Sequence, residues 1–363
     1  MTSQSQVKPT QLTSLNALRG LAFIGVFLEH TKLLWSGAWG VSVFFVLSGF
    51  LMAYNYHNRT LDSSPKSIFH FAWKKVSKLY PLHIITLLAI LPLTDLSIGS
   101  YRFAKNFFSN VFLLQSWSGN ASTYFSFNAV SWYLSTCFFL YLCFPFIHKC
   151  MSKYTNKNNA IMGIAFTLLL QLFTAYISSL LPGASIFSDN LCKWFTYIFP
   201  VYRLGDFIIG CNLGYLFLKQ EKKQSTLSAT FAETFTILLT AVLLYVYSTQ
   251  IGLGSLEWFR YTLLYTASSI LLVYCFASNG GHITKLLSNK ILIPIGNISA
   301  YAFLIHALVI RYINKLFLLK NGYTLSSWKL TLVAFAITLI CSLFYMLMEK
   351  NLTRIIRAKH ITN

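Results

Sequence analysis

The chain has 363 residues, 55% hydrophobic and 17% aromatic but only 10% charged, whereas a soluble domain carries roughly 25% charged side chains. A water-soluble globule is thereby excluded. The formal net charge of +20, which in a soluble protein would suggest nucleic acid, reads here as loop charge sorted by the positive-inside rule, with no nucleic-acid partner expected.

Polar residues 1–14 read as a cytoplasmic N-terminal segment with no cleavable signal. Residues 15–350 then read as one polytopic membrane domain, and 351–363 as a basic cytoplasmic tail. Apolar runs near the ~20 residues that cross a bilayer as a helix predict about ten spans. They lie at 17–34, 38–57, 79–97, 128–148, 160–181, 201–218, 229–249, 259–277, 294–317 and 328–349. The ~10-residue alternation of a transmembrane barrel is not seen. The expected fold is therefore an all-α integral membrane protein of about ten transmembrane helices. Residues 106–117 are too short to span and read as re-entrant or interfacial, and Pro200 is expected to break a longer helix in two. The seven cysteines are scattered without metal-ligand spacing and read as small membrane hydrophobes.

Eighteen Lys and Arg residues fall on one side of these spans and seven on the other, which predicts both termini in the cytoplasm. No internal repeat is visible. The longest connections, 57–78 and 98–127, are the natural recognition surfaces.

Four basic residues remain within spans or at their rims. Arg311 and Lys315 read as snorkelling from a helix end. Arg203 has Asp206 one turn on as a local partner. Arg19 and His30 are eleven residues apart, so at 100° per residue they share one helix face, ~16 Å apart along the axis. Geometry alone leaves two readings for this pair, a snorkelling arginine with a satisfied histidine, or a functional site. Lys74, Lys75 and Lys78 cluster at the cytoplasmic side of the third span. His306 is another histidine within a span, either lining an active cavity or bonding between helices. Ser131 and Trp132 lie near the outer mouth, where they could contact an acceptor or, for Trp132, belong to an aromatic belt. Glu29 is ~100° round the helix from His30 and either orients it or faces the aqueous rim.

An ordered set of motifs extends this reading: Arg-x10-His at Arg19 and His30, "GVSVFFVLSGF" (40–50), "KLYPLH" (78–83), "FLLQSW" (112–117), "AVSWYLSTCFFLYLCFP" (129–145), "RLGDFIIGCNLGYL" (203–216), "IGNISAYAFLIHALVI" (295–310) and "MEKNLTR" (348–354). Across nearly its whole length the chain resembles membrane-bound acyltransferase family 3, whose members transfer acyl groups, usually acetyl, to extracytoplasmic carbohydrates. The resemblance implies that Arg19 and His30 are the pair needed for activity. Trp117 and Glu349 match family positions, and His306 fits the family pattern. Two departures stand out. The basic motif before Tyr-Pro is all lysine, which supplies charge but no bidentate phosphate fork. Thr136 and Cys137 stand where relatives often carry Glu.

The resemblance further implies acetyl-CoA, or another acyl-CoA, as donor substrate, with no metal. Its phosphates would sit at Lys74, Lys75, Lys78 and Arg19, and its thioester near His30, acting as base or as acyl carrier. The expected partners are a cell-surface or secreted polysaccharide acceptor, the lipid bilayer and glycan-synthesis machinery, in the cytoplasmic membrane of a bacterium. No appended esterase-like domain is expected. The alternatives are a glycan or solute exporter without chemistry of its own, and a structural partner in a glycan-synthesis complex. The former lacks repeat symmetry, and the latter leaves Arg19 and His30 without a role.

Overall fold

The computed structural model describes residues 12–94, 96–154, 156–180, 193–220, 225–248, 263–322 and 324–362. Among these the chain is helical throughout, without strands, as an all-α membrane protein requires when backbone polar groups can find no water. Most of the N-terminal segment, together with Cys192, Lys222, Lys223 and Arg260, lies outside the described residues. The helices are α1 (Ser14–His30), α2 (Gly37–Tyr56), α3 (Pro65–Val76), α4 (Tyr80–Ala89), α5 (Tyr101–Val111), α6 (Ala121–Tyr124), α7 (Trp132–Met151) and α8 (Lys157–Leu180). They continue as α9 (Pro200–Leu218), α10 (Thr226–Ser248), α11 (Leu263–Ser278), α12 (His282–Leu287), α13 (Leu292–Asn321) and α14 (Ser327–Thr362).

Six of the segments these helices form are long and apolar enough to cross a membrane: Gly37–Tyr56, Ala129–Met151, Lys157–Ser178, Thr226–Val246, Leu292–Asn321 and Ser327–Arg354. Burial ranks them. The apolar window of α2 is 83% buried, against 22% in α8 and in α10, so α2 is the centre and those two are the rim. Large apolar side chains on the rim, including Phe166 and Phe173 of α8 and Phe231 and Phe235 of α10, stay exposed within the chain, as lipid-facing residues do. Helix α2 packs on α1, α9 and α11, and α1 packs on α13. The α2–α9 crossing is too close for a side chain at two points. A Cβ on Gly49 of α2 would collide with the Phe207 carbonyl oxygen of α9, and one on Gly210 with that of Val46. Such small-residue contacts drive helix association in lipid.

The structure departs from the sequence expectation in the first half of the chain. The connection 57–78 contains a helix, α3, started by Pro65 at its first turn after an extended Ser64. Its buried face is Ile68, Ala72 and Val76, one residue per turn. The expected span 79–97 reduces to α4, whose ten residues rise only ~15 Å, followed by a short 3-10 turn at Leu91–Leu93 that contains Pro92. Pro92 lacks the N–H needed to continue the helix. Segment 106–117 becomes the end of the amphipathic α5 plus a 3-10 turn, Gln115–Trp117. The break at Pro200 is as expected: a π-helical turn, Trp194–Ile198, ends at an extended Phe199 before α9 begins.

Candidate functional site

Arg19, in the first half of α1, and His30, exposed at its end, border two different cavities. The larger, of about 240 Å³, is enclosed by α1, α2, α3, α7 and α13, with Arg19, Lys75, Ser48, Tyr133, Tyr141 and Asn297 among its lining. Arg19 is half-buried and makes no hydrogen bond or ion pair with any described residue. Lys75 donates from Nζ to Tyr56 Oη (2.7 Å) and stands 4.4 Å above the Tyr56 ring. No Asp or Glu occurs among the described lining residues. Two cations without a described carboxylate at the wall of one cavity make it electropositive and suited to an anion. Cys137 lines this cavity, while Thr136 donates to the Ile198 carbonyl oxygen (3.2 Å).

The three lysines of the sequence cluster are separated by the turn between α3 and α4. Lys75 faces the cavity, and Lys74 faces an open surface groove of about 640 Å³ with Arg59, Lys66 and His70. Lys78 departs from the expected phosphate cluster: it lies 3.6 Å from Glu349 Oε2, which also accepts from Tyr301 Oη (2.7 Å). Glu349 therefore links α14 to α13 and to the α3–α4 turn. At the groove, Asp62 accepts from the hydroxyls of Ser67 (2.6 Å) and Ser64 (2.7 Å) and from the Ser64 backbone N–H (3.0 Å), which hold its carboxyl down at about 2.

At the other end of α1, His30 borders a cleft of about 130 Å³ with Glu29, Trp132, Tyr197, Lys193 and Val41. Its Nδ1 is 2.9 Å from the Val26 carbonyl oxygen and 3.3 Å from Nε2 of His306. His306 is fully buried, with its own Nδ1 3.2 Å from the Ala302 carbonyl oxygen. One assignment of protons satisfies every contact. His306 donates its Nδ1–H to Ala302 and offers Nε2 as acceptor. His30 shares its Nδ1–H between Val26 and His306. His30 Nε2 makes no hydrogen bond with a described residue. His306, which the sequence left open between cavity and interhelical bonding, is thus an interhelical partner of His30. Phe23, Phe27 and Phe303 hold its ring at 5.9, 6.0 and 5.8 Å.

Glu29 accepts from the Gly37 backbone N–H (2.5 Å), capping the start of α2. Trp132 lies in the cleft wall, 5.2 Å from the Tyr197 ring. Ser131, expected at an outer mouth, is fully buried instead. Its hydroxyl donates to Asn110 (3.1 Å) and accepts from Gln115 (3.3 Å), tying loop 98–127 to the start of α7. Trp117 packs edge-on against Phe139 (5.0 Å) and Phe199 (5.7 Å), away from both cavities. Arg203 is fully buried, 2.6 Å from Asp206, between the rings of Phe45 and Tyr197. Arg311, read from sequence as snorkelling, donates to the carbonyl oxygens of Phe127 (2.8 Å) and Leu93 (3.0 Å). Tyr133 and Tyr141 were not singled out from the sequence. With Cys137 they recur every four residues, a single stripe on α7 that would have marked them.

A family model described as an acyltransferase domain matches residues 12–347. The acyltransferase MdmB of Streptomyces mycarofaciens is 27% identical over 225 residues, covering 55% of this chain and 56% of that protein. The chain thus spans about half the length of this curated relative. No solved structure matches.

Proposed function

The chain belongs to the acyltransferase-domain family, and from that premise we propose that it moves an acyl group from a cytoplasmic acyl-CoA to a hydroxyl of an extracytoplasmic glycan. The observation that carries this reading is the charge of the larger cavity. Arg19 and Lys75 face a space without a described carboxylate, which suits a phosphate-bearing donor better than a neutral solute. That cavity is too small for a whole nucleotide-bearing donor. The adenosine end would occupy the open groove at Arg59, Lys66 and Lys74, its diphosphate would lie against Lys75 and Arg19, and the acyl-bearing arm would reach on toward His30.

There His30 Nε2 takes the proton of the acceptor hydroxyl as its oxygen bonds to the thioester carbonyl carbon. The carbon–sulfur bond breaks, and the leaving thiolate recovers the proton from His30. His306 Nε2 fixes the tautomer and shares the charge that develops on the His30 imidazole, the orienting role in a base–orienter pair. The rings of Trp132 and Tyr197 in the cleft offer flat apolar faces to a sugar. Cytoplasmic termini, on the distribution of Lys and Arg, and a bacterial cytoplasmic membrane complete the reading. Polysaccharide-synthesis machinery is the partner this implies.

Acetyl-CoA binding to the purified protein in nanodiscs tests the donor. Arg19→Ala and Lys75→Ala should each weaken Kd about tenfold or more, consistent with loss of a charge-assisted contact, and His30→Ala should leave it within threefold. No binding by folded wild-type protein, or equal weakening in all three variants, would contradict the assignment.

A further inference from the structure

The two cavities are lined by almost separate sets of residues. Their linings have Phe303 in common and, among the described residues, no other side chain. The ring is 5% exposed. On the side of the larger cavity it meets Tyr133 at 5.1 Å and Phe44 at 6.0 Å. On the other it meets His306, one turn further along α13, at 5.8 Å. Helix α13 therefore lines the larger cavity through Ser299, Ala300 and Leu304, then presents Phe303 to both spaces immediately before the histidine that holds His30.

We infer that Phe303 is the partition between the donor cavity and the His30 cleft and sets the length of acyl group that is transferred. The inference rests on the acyl-CoA reading above. A thioester carbon reaching His30 from the Arg19 side must pass this ring. A two-carbon acyl group needs only a sideways turn of the phenyl group, whereas a longer chain must displace Tyr133 and Phe44 as well. While the thioester waits on the Arg19 side, the same ring keeps it from His30 and from water in the cleft. Without it, His30 would take a proton from water, the water oxygen would bond to the acyl carbon, the carbon–sulfur bond would break and the thiolate would take the proton. The products are free carboxylic acid and CoA.

The test is CoA release from acetyl-, butanoyl- and octanoyl-CoA by protein in nanodiscs, with the envelope glycans of the expressing cell as acceptor and again with water alone. Phe303→Ala should raise the octanoyl-to-acetyl rate ratio at least tenfold, the scale on which pocket walls discriminate methylene groups, and should raise hydrolysis in the absence of glycan. Phe303→Trp should move both quantities the opposite way, so a folding defect in one variant cannot mimic the pattern. A wild-type protein active on acetyl-CoA with unchanged ratios in both variants would overturn the partition alone. A folded wild-type protein that releases no CoA from any donor would overturn the underlying reading and the partition with it.

Discussion

Replacing His306 by leucine removes the acceptor of the His30 Nδ1–H while keeping an apolar side chain of similar bulk among Phe23, Phe27 and Phe303. The bond is 3.3 Å long and His30 keeps the Val26 carbonyl at 2.9 Å, so its loss weakens the orientation without abolishing it. A hydrogen bond to a charged group contributes about 1.5–3 kcal/mol, and the imidazole is charged only as the proton moves. At 1.36 kcal/mol per factor of ten the expected fall is about 10- to 150-fold in kcat, nearer the lower figure because of Val26. The KM for acyl-CoA should stay within twofold, since Arg19 and Lys75 are untouched. His306→Gln, whose side-chain oxygen reaches about where Nε2 stands, should recover most of the rate. Steady-state acyl transfer in nanodiscs measures all three. A leucine variant within twofold of wild-type kcat, or equal losses in leucine and glutamine variants accompanied by a raised KM, would refute the orienting role.

Breaking the buried Arg203–Asp206 pair on one side, by Arg203→Met or Asp206→Leu, should cost about 3–5 kcal/mol and lower the melting temperature in detergent. The double variant should regain most of the loss, and singles as stable as the double would contradict the pairing. Gly210→Ala must push α9 off α2, an overpacking cost of about 1–3 kcal/mol; a monodisperse variant with wild-type melting would contradict that close contact. Asp62 has its folded pKa depressed below the unfolded value, so the turn it organises before α3 is stabilised above about pH 4 and loses that contribution as pH falls through about 2. A carboxyl titration followed by NMR should place the midpoint well below the ordinary Asp value of about 3.9; a midpoint at that ordinary value would contradict the hydrogen-bonded turn.

What the sequence could disclose depended on distance along the chain. Arg19 and His30 lie on one helix, so their shared face followed from an angle per residue. The His30–His306 bond joins residues 276 apart, and no periodicity reports such a contact. The lysines at 74, 75 and 78 looked like one cluster because the turn between Val76 and Tyr80 has no glycine to mark it. Once α3 ends, each lysine serves a different neighbour. Ser131 looked like a mouth residue because polar residues beside an aromatic run usually sit at an interface. The buried bonds to Asn110 and Gln115 come from a loop that folds back into the bundle. The polytopic helical fold was legible from apolar length, but the short α4 in place of a span at 79–97 was not, because Pro92 ends the helix.

The most direct test of the central claim is acyl transfer by His30→Ala beside its acetyl-CoA affinity, both in nanodiscs. General-base catalysis contributes about 10²–10⁴-fold, so the variant should lose at least a hundredfold in rate while binding donor within threefold of wild type. A variant that transfers acyl groups at the wild-type rate would contradict the role of His30.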